Sequence, residues 1–596
     1  NQNGSVEITG GEVHASTDYN NGGAGIGGGN GGSATVTISG GEVHASTLRG
    51  DGGAGIGSGK GSTGATSIDI SQDALVYADG SGGAAIGSGE SSSGETTINI
   101  HDTDKANEKG VKKAFAYGGA GIGSGRYASG KTHITIDKAF VSTPESSDAS
   151  YTDTSGASIG TGYASQSNAE ITIKDSTVKA VGGRGAAIGS GSEGDISTPP
   201  TGEPNTFKNI IHITNSDVTA SSLSSAAIGS GSYSTNATEI HINGGKIEAS
   251  NYSGSGIGSG KSAKGNTDIY IAGSDVTAKA SLGTGIGSGS YSSGNTTIDI
   301  SGGTVKATGG GNGYEGSAGI GAGRSSTGDT SITLRDSAIV EAFGGGTSGS
   351  YGGGGAGIGS GQSANGKTDI LIKGAKEVTA KGGSSAAGIG SGSDVGYGSA
   401  SSTTITICNS DDGTVVPIIK ATGGGVVDQY CSSSGAGIGS GGSTYNKTII
   451  NIKGGEITAT GGTSYTLGNS GSRRSGAGIG SGSSVSGETE INISDGTIKS
   501  ATGGEYGGAG IGSGTYGDST DASKKGDVTI KITGGTITEA TGGSAHVSGS
   551  ALWYSGAGIG AGMNAGNTTI NIEDKAHIVS AKSGDHGSAG IGGGYG

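Results

Sequence analysis

One short motif recurs along this chain and restricts its folds more than any other feature. Gly-Ala-Gly-Ile-Gly-Ser-Gly, complete at residues 53–59, returns in related form about seventeen times, centred on isoleucines from Ile26 to Ile591. Successive central isoleucines lie 29 to 49 residues apart. A constant unit with insertions of variable length is the mark of a solenoid carrying loops on its corners. A motif used in every unit is architecture before it is chemistry.

The unit itself reads as three short strands. In GNTTIDISGGTVKATGG, residues 294–310, Ile298 and Ile300 alternate with Thr297 and Asp299, and Val305 and Ala307 flank Lys306. In SAGIGAG, residues 317–323, Ala318, Ile320 and Ala322 alternate with Gly319 and Gly321. A period of two places alternate side chains on opposite faces, and the Gly pairs between segments supply turns. Three strands per coil of about 30 residues describe an all-β parallel β-helix, with each strand pairing one coil away at about 4.8 Å. The right hand is expected from the usual crossover sense. About seventeen coils with variable corner loops would form one continuous domain, residues 1–596, roughly 80 Å long at that spacing. Both ends, NQNGSVEITGGEVHAS and SAGIGGGYG, read as repeat interior. Both are therefore expected to be uncapped, either as a slice of a longer chain or as chains stacked end to end.

Composition narrows the class. With Gly 137 and aromatic residues at 4%, there is too little large apolar side chain for a core of ordinary thickness. Pro 5 and irregular glycine spacing do not suit collagen. A net charge of −15 and a pI near 5.0 argue against nucleic acid and anionic membrane surfaces as partners. No run of 18 apolar residues is present, so membrane insertion is not expected.

The third segment suggests a surface. The residue after the central isoleucine is Gly in every copy, including Gly57, Gly258 and Gly287. Two readings stand side by side. Either a local corner needs glycine's backbone freedom, or a bare outward strip lets another backbone lie on it. The second implies lateral self-association, or packing by neighbouring segments of a longer chain. Cys408 and Cys431, the only thiols, fall within one unit and are expected either to form a disulfide or to be free.

Candidate chemistry comes from stacking outward positions by register. His212, His241, Tyr270 and Asp299 are each 29 residues apart and should form a column, with Glu239 and Asp268 beside it. Such a column could take a sugar or a divalent cation, or be an ordinary solvated strand face. Weak surface Ca²⁺ binding is the one ion contact expected; no cofactor, resident metal or catalytic residue is. A smaller column joins Glu12 and His14 to Glu42 and His44, continuing to Tyr77. Tyr127, Tyr163, Tyr233 and Tyr291 recur just after the glycine segment, and exposed aromatics there would stack on glycans. Trp553 and Tyr554 sit in an insertion, and residues 197–207 carry three of the prolines. The glycine motif is not a phosphate loop, because no helix follows it.

The pattern TTINI…GGTVKATGG…GAGIGSG resembles repeat regions of large secreted or wall-attached proteins of gut-type bacteria, especially Gram-positive ones. The resemblance covers essentially the whole chain. It implies a right-handed parallel β-helix located outside the cell, adhesin-like or carbohydrate-binding, and it carries over no catalytic residues. The expected function is a non-enzymatic extracellular stalk or fibre, with a glycan-binding module as the alternative.

Overall fold

A computed structural model describes residues 3–17, 22–48, 50, 52–143, 155–194, 207–311, 315–346, 353–396, 401–425, 427–428, 433–466, 473–516, 525–546, 553–585 and 587–595. They fall into two compact units, Asn1–Ala278 with Ser292–Gly294, and Lys279–Tyr291 with Asn295–Gly596. Each unit is a parallel β-helix. Among the described residues the one helical turn is Lys105–Asn107, and no helix is long and apolar enough to cross a membrane.

In the first unit a coil runs through strands Thr66–Ser71, Leu75–Gly80 and Ile86–Gly87 before the next begins at Thr96–His101. The alternation read from the sequence sets which side faces in. Ile68 and Ile70 stack on Ile98 and Ile100, then on Ile134 and Ile136, and all are fully buried. The second strands stack Val43, Val76, Val111, Val141 and Val178 in the same way. The second unit repeats both ladders, with Ile298 over Ile332 and Ile370, and Val305 over Val340 and Val378. Like stacks on like because each rung has the same cross-section, so the core is one side chain thick but continuous along the stack.

Two expectations about strands are corrected. Some coils fuse the first and second strands, as in Gly4–Ser16, Ala34–Ser46, Lys447–Thr460 and Thr489–Thr502. There a Gly pair, or Asp495-Gly496 in the last of them, lies inside a continuous strand, and the register between Gly4–Ser16 and Ala34–Ser46 shifts after Ile8 and again after Thr9. The third strand shrinks to two residues, Ile-Gly. In Ala84–Ser88 the Ala84 N–H donates to the Ser88 carbonyl at 2.9 Å, which closes an arch around Ile86 and Gly87. The Ile86 N–H donates onward to Gly121 of the next coil.

That arch corrects the bare outward strip. Gly57, Gly258 and Gly287 are buried within the stack itself. Their φ values are +135°, +135° and +133°, a region that essentially only glycine occupies. A Cβ on Gly57 would lie 1.8 Å from the Gly87 carbonyl oxygen, and one on Gly287 1.9 Å from that of Gly321. The close approach is real, but the approaching backbone is the next rung. The preceding position is crowded too: a Cβ on Gly55 would meet the Ala85 and Asp79 carbonyls at 2.6 and 2.7 Å.

The serine of the motif has a separate task. Ser58, Ser88 and Ser124 accept hydrogen bonds through Oγ from the N–H of Gly89, Gly125 and Gly162, one rung on, at 3.0, 3.1 and 3.0 Å. Thr161 does the same for Gly191 at 3.1 Å. In the second unit Ser360, Ser391 and Ser440 serve Gly392, Gly441 and Gly482 at 3.1, 3.0 and 3.0 Å. These N–H groups are buried at a corner where no strand ladder reaches them, so the hydroxyl satisfies a donor that would otherwise be costly.

Candidate functional site

The column expected on the first strands forms. Strands Lys208–Thr214, Ala237–Asn243 and Thr267–Ala272 pair in parallel and set His212, His241 and Tyr270 one above another. Their ring centroids are 4.9 and 4.8 Å apart, with interplanar angles of 22° and 14°. Glu239 and Asp268 are register partners in the neighbouring column. Asp299 lies in the second unit, where Arg335 grips its carboxylate with two hydrogen bonds of 2.9 and 3.1 Å.

The electrostatics of this column turn inward. Glu239 accepts from His241 Nε2 at 2.5 Å and pairs with Lys208 Nζ. The Lys208 contact, opposed by partial burial and aided by His241, holds the Glu239 carboxyl below its ordinary range. Glu239 in turn pushes Lys208 upward. His212 goes the other way: burial, then repulsion from His241, lowers its pKa. Lys208 was not anticipated. Its position gives a signal, because a long side chain two residues before Ile210 can reach across to Glu239, the partner of Ile210.

This geometry limits the chemistry. A zinc–nitrogen bond is about 2.0–2.1 Å, and face-to-face imidazoles 4.9 Å apart aim their nitrogens in parallel rather than at a shared ion. Among the described residues no three His, Cys, Asp or Glu side chains converge on an ion position. Glu239 is already engaged by Lys208 and by the His241 ring, so it does not face a substrate as a free base. Sugar stacking needs an open ring face, and between rungs these faces cover each other.

A twin column lies on second-strand positions. His14 stacks on His44 at 4.6 Å and 7°, and His44 on Tyr77 at 4.6 Å and 4°. His14 Nε2 lies 2.8 Å from Glu12 and His44 Nε2 3.0 Å from Glu42. The His14 contact lowers the Glu12 pKa. A shallow groove of about 480 Å³ runs beside these rings and ends at the Asp79–Lys113 ion pair.

The corner tyrosines divide. Tyr127, Tyr233 and Tyr291 share one corner and all have left-handed backbone, φ 58°, 60° and 62°. Ser91, Ser262 and Ser325 occupy the same corner in other coils, φ 56°, 57° and 51°. Tyr233 is buried at 8% exposure, which removes it as a platform, whereas Tyr127 and Tyr291 are 48% and 43% exposed. Arg126 lies 5.1 Å from the Tyr127 ring centroid and Arg324 5.0 Å from that of Tyr291. Tyr163 meets Tyr127 edge-on, and Tyr554 is buried. The Trp553 side chain, Cys431 and residues 195–206 lie outside the described residues. Cys408 is a half-buried free thiol, and burial raises its pKa.

A second feature the sequence reading missed is an ion column. Lys60, Glu90 and Arg126 each stand four residues after a central isoleucine. Glu90 is buried and receives Lys60 at 3.2 Å and Arg126 at 2.8 Å. Burial, the largest influence, pushes its pKa up, but Arg126 and Lys60 together bring it below the ordinary value. The alternation of charge at one fixed offset in three successive coils was a visible signal.

Comparison with known families matches the chain to a beta helix repeat over residues 6–30, 36–60, 171–192, 211–232, 240–261, 298–324, 370–393, 450–483 and 491–515. No curated protein and no solved structure matches it.

Proposed function

We propose that this chain, a β-helix repeat protein, is a passive scaffold outside a bacterial cell, serving as a stiff acidic stalk or adhesive spacer. The observation that carries this reading is the use of the motif's own polar groups. In rung after rung the serine hydroxyl is spent on the next rung's glycine N–H. What is common to all coils therefore builds the stack, and the histidine columns add cohesion between rungs rather than a reactive centre. The net charge of −15 favours solubility and opposes non-specific adsorption to anionic surfaces. Single-molecule stretching tests the reading. Nearest-neighbour stacking predicts release in small steps of one coil, about 100 Å of extended chain for about 30 residues. Turnover of a polysaccharide by the purified chain would refute passivity.

A second reading, glycan binding, is favoured by Tyr127 and Tyr291. A bulky residue in left-handed backbone is strained, yet serine holds the same corner elsewhere. Strain kept at an exposed ring is a reason to look for a ligand on that ring. On a glycan array the intact chain should then bind, and Tyr291→Ser with Tyr127→Ser should lose the signal. An array that stays blank rules this reading out.

A further inference from the structure

Two carboxamides are sealed inside the first unit without a partner. Asn209 alternates with Ile211 and Ile213 on the inward face of its strand and is 0% exposed. Its register partner one rung on is Thr238, 1% exposed, and Asn236 stands two residues before Thr238 at 2%. Asn209 Oδ1 and Nδ2, Asn236 Oδ1 and Nδ2, and Thr238 Oγ1 are all buried and make no hydrogen bond. Unpaired buried polar atoms are expensive, and the four carboxamide atoms on adjacent rungs call for a shared explanation, whereas an unpaired hydroxyl recurs in this column at Thr132, Thr448 and Thr489.

The second unit shows what such an asparagine does. There Thr403 registers with Thr448, and Asn446 stands two residues before Thr448. Asn446 Nδ2 donates to Thr403 Oγ1 across the rung gap at 2.9 Å. Asn236 occupies the Asn446 place, but the residue one rung earlier is Asn209 instead of threonine. An amide in this place can thus reach toward the preceding rung, and in the first unit the residue standing there is a second amide.

We infer that the corner formed by Asn209, Asn236 and Thr238 binds one internal water that bridges the two rungs. The donor set selects the ligand. A cation would be buried with no carboxylate to balance its charge, and an anion with no cationic side chain. A neutral molecule with both donors and acceptors, the size of water, donates to the two Oδ1 atoms and accepts from Nδ2 or the threonine hydroxyl. The rungs above and below seal the site, so this water exchanges only when a rung opens. Its residence time reports local opening of the stack.

A crystal structure of the full chain that resolves ordered solvent tests this directly. The expected result is one solvent peak within hydrogen-bond distance of both Asn209 and Asn236. A direct amide–amide hydrogen bond with no peak overturns the site. In solution, ¹⁷O relaxation dispersion counts long-lived waters. Asn209→Thr, which copies the Thr403 pairing, should lose one. So should Asn236→Gly, which copies Gly265 at the same place in the next rung. Circular dichroism confirms that each variant folds. An unchanged count in both folded variants also overturns the site.

Discussion

Gly57→Ala, compared with Gly61→Ala, separates crowding between rungs from backbone strain alone. Both glycines have positive φ, +135° and +68°. A Cβ on Gly61 meets nothing within 4 Å, whereas one on Gly57 lies 1.8 Å from the Gly87 oxygen. At Gly61 only the left-handed conformation opposes alanine, about 1–2 kcal/mol, and Ser91 already tolerates it at the next coil's equivalent corner. At Gly57 the φ region itself costs about 1–3 kcal/mol. Carbon and oxygen must also separate by roughly 1.5 Å to reach ordinary contact. Moving Gly87 that far breaks the 3.1 Å bond from the Ser58 N–H to its carbonyl. Losing it strands a buried donor, about 1–3 kcal/mol more. Set against about 1–2 kcal/mol at Gly61, the expected difference between the two variants is therefore about 1–4 kcal/mol. A solenoid need not unfold in one step, so a single global midpoint is the wrong readout. Hydrogen exchange at the Ile56 and Ser58 amides, which donate to Ala85 and Gly87 across the affected rung gap, is the right one. Gly57→Ala should lose several powers of ten of protection locally, and Gly61→Ala little. Equal protection in the two variants would refute the account of the motif's glycine. Intact folding with loss of lateral association would restore the partner-face reading.

Three further outcomes follow from the same contacts. Ser88→Ala should cost about 1–2 kcal/mol by stranding the Gly125 N–H, read as faster exchange at that amide; the rung should still form, since Ala322 occupies the same place in the second unit. His212 should titrate below its ordinary 6.5 by NMR. Its folded-state pKa is depressed, so its contribution is present above 6.5 and lost as pH falls through the folded midpoint, and His212→Gln should remove that acid sensitivity. Peptide mapping after alkylation at mild pH should show Cys408 modified slowly, because burial holds the thiol protonated; rapid labelling would contradict its placement.

The alternation of Ile298 and Ile300 with Thr297 and Asp299, together with the constant spacing, was enough to read the ladders and to bring His212, His241 and Tyr270 into one column. Period and spacing fix which residues share a face and which rungs are neighbours, and both are linear properties of the chain. What the glycines and serines of the motif do was not readable in that way. Gly57 looks like an outward position by parity. It is buried because the arch around Ile56 brings the next rung's carbonyl to where a Cβ would be, a distance set only once rungs stack. Ser88 looks merely small until the Gly125 N–H needs an acceptor. Lys208 joins Glu239, and Tyr233 parts from Tyr291 by burial, through side-chain reach and local cover that no repeat length encodes. The sequence alone determined the rung and its order. Only the stacked structure decided which small residues are crowded, which polar atoms are satisfied and which aromatic faces remain open, because those depend on separations of a few ångströms between residues 29 or more positions apart.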